Sequence, residues 1–393
     1  MKKVSSLLIL ILLFSCQIDD DILTTHIELK ELYEKSELAG FSVAIVDNNK
    51  IRYQNSFGYA DIEKNKKFSK HTIQNIGSIS KTFIALAVMK AVEQDKLDLD
   101  TNINTYLPFD IIHPYHPQKP ITVRHLATHT SGITDGEVYY KSYVFENPTG
   151  VDPTIYPEDY QPIIELIKTN IKLDESIFFE NVLSSSGKWY SEGNFLENPP
   201  GEKYNYSNIG AALAAFVVES ATGISYEEYT KKYIFDPLRM DATGWRFNEV
   251  NMQNHATLYY AKDFEVPQYS LITKADGGLI TNTSDFSKYL IEMLKGYHGN
   301  GKLLSKASYK EMFSFQTKHN EIKEAEGGIF WDIYDNRTIG HDGGDPGIRT
   351  ISLFDPIKNR GYYFMTNTSG DFDNKINHSI EEIWDTLINQ NPN

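Results

Sequence analysis

The chain has one cysteine, Cys16, in 393 residues. It can form no internal disulfide, and beyond residue 16 it has neither a thiol nucleophile nor a thiolate metal site. Positive charge is also scarce: 38 Lys and Arg stand against 53 Asp and Glu, a formal charge of −15. Such a body would be repelled by nucleic acid and by an anionic membrane surface. An H-E-x-x-H word is missing as well. His125 and His129 share a helix face by spacing, but no glutamate accompanies them, so they read as structural hydrogen-bonding histidines. No repeat and no low-complexity tract is present. The motifs call for no metal and no cofactor.

Residues 1–21 read as an export leader, lipidation signal and tether. Lys2 and Lys3 precede an apolar run at 4–14 that is too short to span a bilayer but has the length of a signal core. Leu13-Phe14-Ser15-Cys16 resembles a bacterial lipobox, with Phe14 bulkier than usual, and makes Cys16 the expected lipidation site. An acidic stretch, Gln17-Ile18-Asp19-Asp20-Asp21, follows as a tether. The expected setting is an exported bacterial lipoprotein in the periplasm, at the outer membrane or on the cell surface, touching the membrane through that lipid alone. An ordinary secretory signal with an incidental cysteine is the alternative.

Residues 22–393 read as one α+β domain, an antiparallel β-sheet flanked by helices, with an all-helical subdomain inserted at about 95–270. The pattern at 22–38 suits an amphipathic helix, and 40–46 with 51–59 form a hairpin around the turn Asp47-Asn48-Asn49-Lys50. Gly77-Ser78 opens a helix that is apolar on nearly every face over 83–92, as a helix buried at a domain centre would be. Residues 137–200 read as an insertion over the cleft, and a further helix follows Asn208. Strands are expected again near 327–334, 338–340, 349–354 and 361–366, before a final amphipathic helix at 374–389.

Three short words carry the chemistry. In Ser78-Ile79-Ser80-Lys81 the hydroxyl and the amine are three apart on one helix face, within hydrogen-bond reach. A helix start there also aims free N–H groups at charge developing on a carbonyl bound to Ser78. Lys81 must be neutral to act as a base, which requires burial or a neighbouring cation to lower its pKa from ~10.4. Tyr206-Ser207-Asn208 places a phenol and an amide on one side of an extended segment, suited to proton relay and to holding a carbonyl or Lys81. His341-Asp342-Gly343-Gly344 gives a glycine edge on which a substrate can lie. The N–H of Gly344 with that of Ser78 would form an oxyanion hole, worth ~3 kcal/mol per donor.

With Leu126-Ala127-Thr128-His129-Thr130-Ser131-Gly132 and Gly277-Gly278-Leu279-Ile280-Thr281, these words resemble the serine β-lactamase-like superfamily of class C β-lactamases, DD-peptidases and related esterases. The resemblance runs from about residue 22 to the C-terminus. It implies Ser78 as nucleophile, Lys81 and Tyr206 as base and proton relay, and Asn208, His341, Gly343 and Gly344 as substrate-binding positions. One departure bears on substrate: class C β-lactamases carry Lys-Thr-Gly where this chain has His341-Asp342-Gly343. An imidazole with an ordinary pKa near ~6.5, beside an anionic Asp342, weakens attraction for a carboxylate. Arg349 can restore a cation there or turn outward. DD-peptidases and esterases of this superfamily carry a histidine at the position of His341, so the resemblance implies an esterase or D-amino-acid/DD-peptidase acting on a small-molecule or peptide substrate. A class C-type β-lactamase and a non-catalytic cell-wall sensor are the alternatives. Nothing in the sequence sets the oligomeric state.

Overall fold

The computed structural model describes residues 20–316, 325–334 and 337–390; Cys16 and the expected leader lie outside the described residues. Helix α1 (Asp20–Lys35) leads into strand β1 (Gly40–Val46), which turns back as β2 (Ile51–Asp61) and β3 (Lys66–Lys67). The first turn is closed by Asp47, whose carboxylate accepts from the N–H groups of Asn49 and Lys50 at 2.7 and 2.8 Å. The sheet resumes late in the chain with β4 (Ala325–Gly327), β5 (Asp332–Tyr334), β6 (Ile339–Asp345), β7 (Ile348–Asp355) and β8 (Arg360–Thr366). Among the described residues these eight strands run in the order β4-β5-β6-β7-β8-β1-β2-β3, each antiparallel to its neighbours. Phe41 of β1 lies opposite Thr366 of β8, so the two ends of the chain meet at mid-sheet.

Every residue of β1 is buried because both faces of the sheet are covered. On one face α1 and the final helix α5 (Asn374–Ile388) enclose Leu29, Phe41, Val43, Phe364, Ile376 and Ile383. On the other, α4 (Thr283–Tyr297) lies on the sheet with Phe286 stacked on Tyr363 at 3.9 Å. Behind it runs α2 (Lys81–Glu93), its Phe83 stacked on Tyr289 at 4.0 Å. Helix α2 is buried continuously from Lys81 to Met89, as its all-round apolarity requires, and packs against α3 (Asn208–Thr222), buried from Ile209 to Val218. Truncating one such aromatic to alanine costs about 3–5 kcal/mol.

The helical middle also holds short strand pairs, including Tyr143–Phe145 against Tyr269–Leu271. Two strand boundaries differ from the sequence reading. Residues 327–334 do not form one strand: the Gly328 N–H donates to the Trp331 carbonyl at 2.8 Å and Phe330 has φ +53°, which reverses the chain. Ile329, Phe330 and Trp331 are all buried, so this apolar run belongs to a turn inside the core and not to an extended segment. The strand expected at 338–340 continues through His341-Asp342-Gly343-Gly344 to Asp345, since β7 pairs with it along that whole length.

Candidate active site

Ser78 lies in a single 3-10 turn, Gly77–Ser80, that runs directly into α2. Gly77 has φ +55°, and a Cβ there would come within 3.0 Å of the Gly344 nitrogen. A Cβ at Gly343 would overlap the Ile76 carbonyl and the Thr350 hydroxyl, and would stand 3.0 Å from the Ser78 nitrogen. The β6 edge thus touches the serine turn backbone to backbone, a closeness that glycine alone permits. Thr350 fastens the two by donating to the Ile76 carbonyl at 2.7 Å. From the other side, Leu279 donates to Ser80 Oγ at 3.1 Å and Ile76 to the Leu279 carbonyl at 3.0 Å.

Lys81 is wholly buried. Its Nζ donates to Ser78 Oγ at 2.9 Å, Asn208 Oδ1 at 2.7 Å and the backbone carbonyl of Asp276 at 2.7 Å. Three acceptors satisfy an ammonium. A neutral amine would keep the Asn208 and Asp276 bonds and turn its lone pair to the Ser78 hydroxyl. Burial lowers the Lys81 pKa to about 8, against the opposing pull of Asp276, Asp135, Asp345 and Asp342. Burial also raises the Asp276 carboxyl above the ordinary range.

Tyr206 lines the same cleft as Ser78, and the centre of its ring is 4.9 Å from Lys81 Nζ. Desolvation pushes this phenol well above the usual tyrosine range. The residue is 37% exposed, so water offsets part of that push. The His129 ring lies tilted against that of Tyr206 with centres 4.5 Å apart, and its Nδ1 accepts from the Ser207 N–H at 3.2 Å, which fixes the segment on which the tyrosine rides. His125 is likewise structural: its Nδ1 accepts from Thr122 N–H in a capping box.

Ser78, Tyr204, Tyr206, His341, Gly344 and Arg349 line a cleft of about 400 Å³. His341 is buried at its wall, with Nδ1–H donating to the Asp342 carbonyl at 2.6 Å. Arg349 turns into the cleft, where its guanidinium pairs with Asp342 at 2.6 Å. Its cation is therefore already matched by the anion of the same word. A larger cavity of about 1310 Å³, lined in part by Glu175, Lys274 and Arg246, contains none of the Ser78, Lys81 and Tyr206 group.

All seven of the positions expected at the site are thus brought to one place. Two residues of the same site were missed. Asp135 accepts from Asn208 N at 2.9 Å, Ile209 N at 3.0 Å, Asn208 Nδ2 at 2.9 Å and Ser207 Oγ at 3.1 Å. Asp276 supplies the carbonyl that holds Lys81. Each lies within three residues of a word read as significant, Ser131-Gly132 in one case and Gly277-Gly278 in the other. Among the described residues no group of three or more His, Cys, Asp or Glu is arranged to hold a metal ion.

The same architecture recurs in solved structures. The octameric penicillin-binding protein homologue from Pyrococcus abyssi superposes with a TM-score of 0.73 at 26% identity, covering 95% of this chain and 78% of that one. The penicillin binding protein from Bacillus halodurans superposes with a TM-score of 0.62 at 22% identity, over 90% and 98% of the two chains. In sequence, Protein flp of Staphylococcus aureus strain MRSA252 is 23% identical over 361 residues, which are 91% of this chain but 64% of the relative. Penicillin-binding protein 4* of Bacillus subtilis strain 168 is 25% identical over 344 residues, 82% of this chain and 66% of that one. The chain thus spans about two thirds of the length of these relatives. Residues 28–383 match the family described as Beta-lactamase, and the chain belongs to that family, in the serine hydrolase superfamily that includes the penicillin-binding proteins.

Proposed function

We propose that the protein is a serine hydrolase that works through an acyl-enzyme on an ester or amide, with esterase or D-amino-acid/DD-peptidase activity. One observation carries the reading: a buried Lys81, its pKa lowered, stands 2.9 Å from Ser78 Oγ. Burial shifts Lys81 toward its neutral, proton-accepting form. Tyr206, pushed the other way, stays protonated, so Lys81 is the base and Tyr206 the relay. Ser78 Oγ attacks the carbonyl and its proton passes to Lys81. The carbonyl oxygen, now an oxyanion, lies toward the N–H groups of Ser78 and Gly344. Tyr206 gives its proton to the leaving group and recovers one from Lys81, and water then hydrolyses the ester on Ser78.

The neutral Arg349–Asp342 pair at the cleft wall offers no unmatched cation to the carboxylate of a β-lactam or of a peptide's C-terminus, and so favours an uncharged ester. Lipidation at Cys16 would hold this activity at the bacterial envelope, a setting suited to wall-derived peptides. The test is a panel of p-nitrophenyl esters, D-Ala-D-Ala peptides and nitrocefin against wild type and Ser78→Ala. Turnover of an ester or D-peptide that vanishes in the variant supports the reading. Turnover unchanged by Ser78→Ala removes it, and fast nitrocefin hydrolysis moves the assignment to a β-lactamase.

A further inference from the structure

Resting on the acyl-enzyme reading above, we propose that Asp135 is a positioning residue for that chemistry. It locks the Asn208 amide with its oxygen toward Lys81 and so holds the base over Ser78. The amide bridges the two charges, donating from Nδ2 to Asp135 at 2.9 Å and accepting at Oδ1 from Lys81 at 2.7 Å. Turned over, it would set its oxygen against a carboxylate and its NH₂ against an amine. Only one orientation satisfies both neighbours.

The loop that delivers Asp135 is itself fixed. Thr130 N donates to the His125 carbonyl at 2.8 Å, Leu196 N to that of Gly132 at 2.7 Å and Thr134 N to that of Asn194 at 2.9 Å. The Asp135 carboxylate also takes the Asn208 and Ile209 N–H groups at the start of α3, so the 15-residue helix and the amide share one anchor. The cap of α3 is Ser207, whose hydroxyl accepts from the Gly210 N–H at 2.9 Å, so the helix does not depend on Asp135 for its cap. Asn at 135 would in either orientation point an N–H at another N–H of this cluster. The carboxylate is needed for the amide, and its charge also helps to hold the Lys81 ammonium, alongside Asp276, Asp345 and the Arg349-paired Asp342, with the Tyr206 phenol facing the same amine.

The experiment is the rate of Ser78 labelling by a fluorophosphonate as a function of pH, in the full chain, for wild type, Asp135→Asn, Asp135→Ser and Ser78→Ala. Both Asp135 variants should fold and should label roughly 10–100-fold more slowly at pH 8. Their acid limb should have its midpoint about one pH unit below that of wild type, because a charge favouring the ammonium has been removed. A role in helix capping or in charge alone would leave the labelling rate above the midpoint unchanged. Labelling there within about twofold of wild type, whether or not the midpoint moves, would overturn the inference. Loss of the folded state in both variants would overturn it too, by making Asp135 a determinant of the fold. A wild type that takes no label at Ser78 would remove the parent reading and this inference with it.

Discussion

Lys81 donates to the backbone carbonyl of Asp276 at 2.7 Å, across 195 residues of sequence. That bond, with the one to Asn208, leaves the amine a single remaining partner, Ser78. The consequences of this arrangement can be measured.

The first concerns Lys81 itself. Lys81→Arg keeps a cation but loses the base, because a guanidinium does not deprotonate in this range. Steady-state ester hydrolysis by the variant should drop by about 10²–10⁴ in kcat/KM. A variant that keeps more than roughly a tenth of wild-type activity would assign the base elsewhere.

A second follows from the pKa of about 8 at Lys81. The base works when neutral, so activity on an uncharged ester rises with pH and levels off once that value is passed. Below it, kcat/KM should climb about tenfold per pH unit. A profile that is flat between roughly pH 6 and 9 would contradict the assignment.

These two depend on features the sequence displayed in part. The three words were legible because each needs a residue type that chemistry dictates. The buried α2 was legible because Phe83 to Met89 are apolar on every side, and the hairpin because Asp47 can close its turn. Asp135 and Asp276 were not legible, since one acts through an amide orientation and the other through a backbone carbonyl, and neither leaves a side-chain pattern. The path of Arg349 was open for a similar reason: alternation along β7 gives a face, and only the Asp342 partner across Gly344 says that the guanidinium stays in the cleft.

Gly343→Ala tests the contact between β6 and the serine turn. The added methyl overlaps the Ile76 carbonyl and Thr350, so the strand must move away from Ser78. The expected cost is about 1–3 kcal/mol in unfolding free energy. Activity should fall more steeply, by about 10²–10³, as Gly344 N–H leaves the oxyanion position. Normal kcat/KM in a destabilised variant would show that the glycine serves packing alone.

Asp342→Asn tests the matched pair. Freed from its anion, Arg349 becomes a cation available to substrate. KM for a peptide ending in a carboxylate should fall several-fold in low salt, while KM for a neutral ester stays put. An equal change for both substrates would mean that Asp342 shapes the cleft without tuning its charge.

His113 offers a test away from the chemistry. Its ring is buried against Gly132, both nitrogens lack a hydrogen-bond partner among the described residues, and burial lowers its pKa to about 4. The unfolded chain takes up this proton near ~6.5 and the folded one only near 4, so the histidine reduces stability as pH falls through that window. In thermal melts from pH 7 to 4, His113→Leu should lose less Tm than wild type. Parallel curves would mean that the ring accepts its proton in place.

The most direct test of the account is intact-mass and peptide analysis after fluorophosphonate treatment at pH 8. One adduct on the peptide carrying Ser78, absent from Ser78→Ala and strongly slowed in Lys81→Arg, is the predicted result. No adduct on wild type beyond that on Ser78→Ala, or an adduct elsewhere, would contradict it.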